Sequence, residues 1–314
     1  MIWNGEGVHE GESRRYLLFR NLAFALTLMA SLSCVQANAA ETVQNATTAR
    51  FEKNEPFSVH TAMRVIYGQT DENDASFFKP EFKPRGPYEI PEELIGTMLV
   101  ASPVAYKELE ESGTKKVYMV TSAIPAEGKF FCRICYPVLG LFVFEHRDGR
   151  WGLTVYDKDL VILGGYGSSP EVAFVQIGPS RWAVAFTKSD AHLGHNYFWV
   201  VLYAVEGGAI SEVFEGLTFD EYDGDETDCT FGPSYRYDVD LFTVHSSGDY
   251  YGIKSATKGT IPQGANACLP SVAVSKEEYF QYDTKLRKYV PAQMTEEIGP
   301  VVPLGEHKRE KGGG

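Results

Sequence analysis

The chain has 314 residues, 44% hydrophobic and 23% charged, with a formal net charge of −13. This is an ordinary globular composition, long enough to bury one large core or two modest ones without covalent staples. The acidic balance and the lack of a concentrated basic stripe exclude a nucleic-acid partner, because a phosphate backbone repels such a surface.

Residues 1–39 read as a cleaved signal peptide. Arg14, Arg15 and Arg20 form a positive n-region, residues 22–32 a short apolar h-region, and Ala37-Asn38-Ala39 a small-x-small cleavage site. The mature chain is expected to begin near Ala40, in the periplasm or outside the cell. Ser13-Arg14-Arg15-Tyr16-Leu17-Leu18 resembles a twin-arginine signal, although adjacent arginines also occur in ordinary secretory n-regions. The apolar run is short for a bilayer, and no later stretch reaches the roughly 20 apolar residues of a membrane helix, so no transmembrane anchor is expected.

Residues 40–95 form an N-terminal arm with one or two short helices. Ala62, Val65 and Ile66 share a face if 58–67 is helical. The prolines of Lys79-Pro80-Glu81-Phe82-Lys83-Pro84-Arg85-Gly86-Pro87 break any regular element. Pro91-Glu92-Glu93 has the chemistry of a helix start, leaving 95–106 open between a second helix and a first strand.

Beyond Lys115 the pattern changes. Residues 116–124, 139–145, 151–156, 171–177, 181–187 and 197–205 are short runs rich in β-branched and aromatic residues. Turn clusters separate them, among them Gly164-Gly165-Tyr166-Gly167-Ser168-Ser169-Pro170, Gly178-Pro179-Ser180 and Gly207-Gly208. Asp148-Gly149 supplies hairpin chemistry between two apolar runs. Alternation is clearest in 235–244, which pairs naturally with 250–255, and 278–289 reads as a last hairpin turning at Asp283-Thr284-Lys285. The fold class is therefore mainly β: an antiparallel sheet domain over 96–295, sandwich or propeller-like, behind a short helical and proline-rich arm. Residues 296–314 read as a flexible tail.

Three groups of residues carry chemistry. Removing Cys34 with the signal leaves Cys132, Cys135, Cys229 and Cys268, and an even count in an exported protein reads as disulfides. The pairing favoured is Cys132 with Cys135 and Cys229 with Cys268; the latter closes a loop of about 39 residues, worth about 3–4 kcal/mol by chain entropy. Cys132-Arg133-Ile134-Cys135 has the spacing of a redox motif, but strand formers and Pro137 surround it and no βαβ unit follows. A tetrathiolate zinc would need all four thiols to converge.

The second group is the acidic stretch 220–228. Asp220, Asp223, Asp225 and Asp228, with Gly224 to bend the chain, are the hard oxygen ligands calcium takes. Asp223-Gly224-Asp225 resembles the loops of calcium-binding β-propeller repeats, departing from them in the spacing to Asp228 and in Glu226 where a second glycine is usual. The solvated-charge reading stands beside it. Third, Asp190, His192 and His195 would supply three ligands to a hydrolytic metal, although Gly194 argues against a helix presenting both rings. No G-x-S-x-G elbow or H-E-x-x-H motif is present.

The sequence thus leads to an exported, non-catalytic binding or interaction protein of the cell envelope. Its partner would be an envelope protein, a glycan or a toxin, and calcium at the acidic stretch is the candidate cofactor. The alternatives are a metal-dependent hydrolase at His192, His195 and Asp190, and a thiol-disulfide redox protein at Cys132 and Cys135.

Overall fold

The computed structural model describes residues 51–68, 77–79, 94, 97–126, 135–192, 194–223, 234–245, 248–262, 270–293 and 301–304. All of them lie in one compact unit, Ala49–Gly314. The fold is mainly β and antiparallel. No helix among the described residues is long and apolar enough to cross a membrane.

A single α-helix, α1 (Val59–Tyr67), precedes the sheets. The Ser58 hydroxyl caps it by accepting from the Thr61 N–H at 3.2 Å, and Gly68 ends it at φ +88°, its N–H returning to the Arg64 carbonyl. Ala62, Met63 and Ile66 are buried on its inner face.

Sheet one contains β1 (Phe77–Lys79), β2 (Leu99–Glu111), β3 (Thr114–Pro125), β4 (Val138–Arg147) and β5 (Arg150–Ile162), in that spatial order. The segment at 95–106, open between helix and strand, is extended from Leu99. The β4–β5 hairpin turns at Asp148 and Gly149, both with positive φ (52° and 76°), as a two-residue Asp-Gly turn requires. β4 is apolar without alternation because both of its faces are covered. Phe142 and Phe144 meet α1, Phe51 and Trp151, while Leu139, Leu141 and Val143 face sheet two.

Sheet two runs β13–β12–β11–β10–β9–β8–β7–β6. Its strands are β6 (Glu171–Gly178), β7 (Arg181–His192), β8 (His195–Glu206), β9 (Ala209–Tyr222), β10 (Tyr235–Val244), β11 (Gly252–Ile261), β12 (Val272–Asp283) and β13 (Lys288–Ala292). The sheets pack face to face: Tyr118, Val120, Leu139, Leu141 and Val143 of sheet one share a buried cluster with Val184, Phe186, Val201 and Tyr203 of sheet two. Each such side chain contributes about 1.5–3 kcal/mol on burial. A polar link accompanies them, since Glu111 accepts from Lys116 at 2.5 Å and from the Trp182 N–H at 3.3 Å. Two packed layers, rather than radial blades, resolve the sandwich-or-propeller alternative.

The opposite face of sheet two also needs covering, and the sheet supplies the cover by curling. Val200, Leu202 and Ala204 of β8 share a second core with Leu241, Ile253 and Tyr289. The curl brings β6 to the far strands: the Tyr251 N–H donates to the Ile177 carbonyl at 2.8 Å, and the Tyr289 hydroxyl donates to the Tyr251 carbonyl at 2.9 Å. Backbone approaches so closely here that a Cβ on Gly178 would lie 2.2 Å from the Asp249 carbonyl oxygen. Beside this contact Arg181 stacks on Tyr250 at 4.4 Å, Tyr250 on Tyr282 at 3.7 Å, and the Tyr250 hydroxyl donates to the buried Glu206 carboxylate at 2.7 Å.

Three segments differ from expectation. β9 was not anticipated: it carries polar residues on both faces, since Glu212 and Glu215 are exposed and Asp220 and Glu221 half-buried, so apolar alternation is weak. β1 lies in a stretch assigned to an unpaired arm and pairs with Leu99–Ala101 of β2. The expected flexible tail fails at 301–304. There β14 (Val301–Pro303) pairs with Phe242–Val244, along the edge of β10 that β9 leaves unpaired, and Leu304 is buried in the second core.

Candidate functional site

Strands β7 and β8 pair to their adjoining ends, with Gly194 at φ +84° just before β8. This places His192 opposite His195 and Asp190 opposite Tyr197. The register continues across the sheet: His195 faces Tyr222, which faces Tyr235, and Tyr197 faces Asp220, which faces Tyr237. Cross-strand partners share a face, so one end of sheet two carries a continuous row of rings. His195 lies 4.5 Å from Tyr222, 5.8 Å from Tyr235 and 6.1 Å from Tyr197, and Tyr197 lies 4.5 Å from Trp199. Lys188 sits over Trp199 at 5.1 Å.

The row includes His195, and two of the acidic residues singled out in the sequence lie at the same end of the sheet. Asp220 belongs to β9 and accepts from the Tyr237 hydroxyl at 2.9 Å and the Tyr235 hydroxyl at 3.3 Å. Asp223 follows the strand, and its N–H donates to the Gly194 carbonyl at 3.1 Å. Asp225 and Asp228 lie outside the described residues, as does the His192 side chain. Among the described residues no three His, Cys, Asp or Glu side chains gather as a metal-ligand set. Cys135 is buried and disulfide-bonded. Cys132, Cys229 and Cys268, and with them both expected pairings, lie outside the described residues.

The row has a consequence for alkaline stability. Burial, and then the charge of Asp220, pushes the Tyr235 phenol up to about 12; burial and the hydrogen bond to Asp220 push Tyr237 up as well. A phenol whose folded pKa exceeds its unfolded value stabilises the fold fully below pH 10 and loses that contribution as pH rises through the folded value. The thermal midpoint is therefore expected to fall between pH 10 and 12, with phenolate absorbance appearing over the same window, and less steeply in Asp220→Asn. Phenols that all titrate near pH 10 while the midpoint stays flat would refute this.

The other face of the same strand ends opens into a cleft of about 640 Å³. Residues one position out of step with the ring row line it: Ser189 and Ala191 from β7, Asn196 and Phe198 from β8, Phe219 and Glu221 from β9. Phe198 meets Phe219 edge-on at 5.4 Å and is 38% exposed. Asp190 borders the rim, but as the cross-strand partner of Tyr197 it belongs to the ring-row face, and its carboxylate accepts from the Ala191 N–H at 2.8 Å. Facing these strands is the 163–170 connection between β5 and β6, which presents Tyr166, 53% exposed.

The connection is tied down. The Gly167 N–H donates to the Cys135 carbonyl at 2.8 Å, and the Leu163 N–H to the Pro137 carbonyl at 3.3 Å. Gly164, at φ +125°, has no room for a side chain, because a Cβ would stand 2.1 Å from the Ser168 carbonyl oxygen. Cys135 and Pro137 thus brace one wall of the cleft through their carbonyls, a role the cysteine spacing does not suggest. Glu171 and Glu221 add carboxylates, and Glu221 pairs with Arg236 at 3.3 Å. No Lys, Arg or His is among the described lining residues.

Sequence reasoning missed Tyr166, Phe198 and Phe219. The only signal for the phenylalanines was their place within aromatic strand runs, where an exposed ring reads the same as a buried one. No protein family, curated protein or solved structure matches the chain.

Proposed function

We propose that the chain is an exported, non-catalytic binding protein of the cell envelope and that its recognition site is the cleft between the β7–β9 strand ends and the 163–170 connection. One observation carries the reading: aromatic rings stand exposed over a cleft of about 640 Å³, mounted on a braced two-sheet body. Export is supported by the n-region, h-region and cleavage pattern of residues 1–39 and by the even cysteine count that remains after cleavage. We assign Cys132–Cys135 and Cys229–Cys268 as the disulfides.

The test is a metal and processing analysis of the purified full chain. Peptide mapping under non-reducing conditions is expected to return those two disulfides and a mature N-terminus near Ala40. Stoichiometric zinc or manganese, lost in His192→Ala and His195→Ala, would instead favour the hydrolase at Asp190, His192 and His195. A Cys135 thiol readily alkylated in the native protein would favour the redox alternative. Calcium is tested by the melting temperature with and without chelator, since a cation bound only by the folded state must raise it.

A further inference from the structure

Resting on the cleft reading above, we infer that its ligand is an uncharged saccharide segment, stacked on Tyr166 and Phe198 and hydrogen-bonded through its hydroxyls to Glu171, Ser189 and Asn196. The lining selects against the alternatives by charge and by hydrogen-bond inventory.

Anionic ligands are disfavoured first. The described lining residues include no cation, and the positive group nearest the cleft, Arg236, is already paired with Glu221, so a phosphate, sulfate or carboxylate finds no free positive partner and meets the charge of Glu171. A cationic peptide would find carboxylates, but Glu221 already pairs with Arg236, which leaves Glu171 as the carboxylate on the cleft face to meet several positive charges.

A sugar uses the whole lining. Its hydroxyls donate and accept at once, so they match an acceptor-only carboxylate beside a hydroxyl and an amide that do both. Its ring carries C–H groups on one face, and these pack against an aromatic face. Phe198 and Tyr166 are 38% and 53% exposed and belong to opposite walls, so each presents ring surface to the cleft. Both walls are fixed before binding, one by the β7–β8 ladder and one by the Cys135–Gly167 hydrogen bond, which lowers the ordering cost of association.

The experiment is calorimetric titration of the full chain with neutral oligosaccharides built from glucose, N-acetylglucosamine, galactose or mannose, and with tetralysine as the cationic contrast, at low and high salt. A neutral oligosaccharide is expected to bind with affinity nearly independent of salt, because no charge pair forms. Phe198→Ala and Tyr166→Ala should each weaken it about tenfold or more, a loss of about 1.4 kcal/mol or more. Both variants should keep the parental melting temperature, and Glu171→Gln should weaken binding without removing a ring.

Saccharide binding that survives both aromatic substitutions would overturn the assignment to this cleft. Tetralysine binding that collapses with salt, with no saccharide bound, would overturn the ligand class while leaving the cleft a recognition site. Binding of neither probe would overturn the inference and count against the proposed function itself.

Discussion

Replacing Phe186 by Ala is expected to lower the unfolding free energy by about 3–5 kcal/mol, a large share of the roughly 5–15 kcal/mol that holds a typical domain together. Phe186 is fully buried where the two sheets meet. Its ring stands 5.7 Å from Tyr203 in a T-shaped contact, within the cluster shared with Leu139, Leu141 and Val143 of sheet one. Hydrogen-bonded ladders hold both sheets, so neither relaxes into the void and most of the cavity cost remains. Urea denaturation reads the effect as a lower midpoint at unchanged slope. Phe198→Ala, removing the same side chain from the neighbouring strand β8 on the other face, where it is 38% exposed, should stay within about 0.5 kcal/mol. A loss under about 1 kcal/mol at Phe186 would mean that the sheets are not joined through this layer.

The second large effect is expected at the C-terminal end. Leu304→Ala should cost about 2–5 kcal/mol, although it lies in a segment whose proline and charge content reads as a loose tail. Leu304 is buried with Leu241 and Ile253, and its N–H donates to the Leu241 carbonyl at 2.9 Å. β9 and β10 pair only over Tyr235–Asp238 and then diverge, so the rest of that edge of β10 needs a partner. Val301–Pro303 supplies it, with Pro303 opposite Phe242. Val302→Ala, at a side chain 44% exposed, is the matched control and should change little. Equal small effects at 302 and 304 would restore the loose tail and contradict the pairing.

The strands legible from sequence are those where one local signal sufficed. The alternation in 235–244 coincides with β10, Asp148-Gly149 forms the turn between β4 and β5, and Ser58 starts the helix expected at 58–67. β9 escaped because its burial depends on the bulges at Leu202/Tyr203 and Phe198/Trp199, which realign it against β8. The boundary of the acidic stretch was misplaced for the same reason. Asp220–Tyr222 ends a strand, and Asp220 gains its hydroxyl partners from β10, fifteen and seventeen residues away.

The candidate site was legible only in part. Asp190 and His195 are marked by residue type, and both lie at the β7–β8 end on the face of the ring row, with Asp190 also bordering the cleft rim. Tyr166 and Phe198 were not marked, since exposure is a property of the surroundings.

By itself the sequence determined the β class, the helix at 59–67 and most strand positions, because turn chemistry and backbone preference act over a few neighbouring residues. Only the tertiary structure decided that one sheet curls over its own outer face, that residues 301–304 complete it, and which rings remain in water. Those outcomes depend on contacts between residues tens of positions apart, such as Tyr251 with Ile177 and Leu304 with Leu241, and no local pattern encodes which distant strand arrives to cover a face.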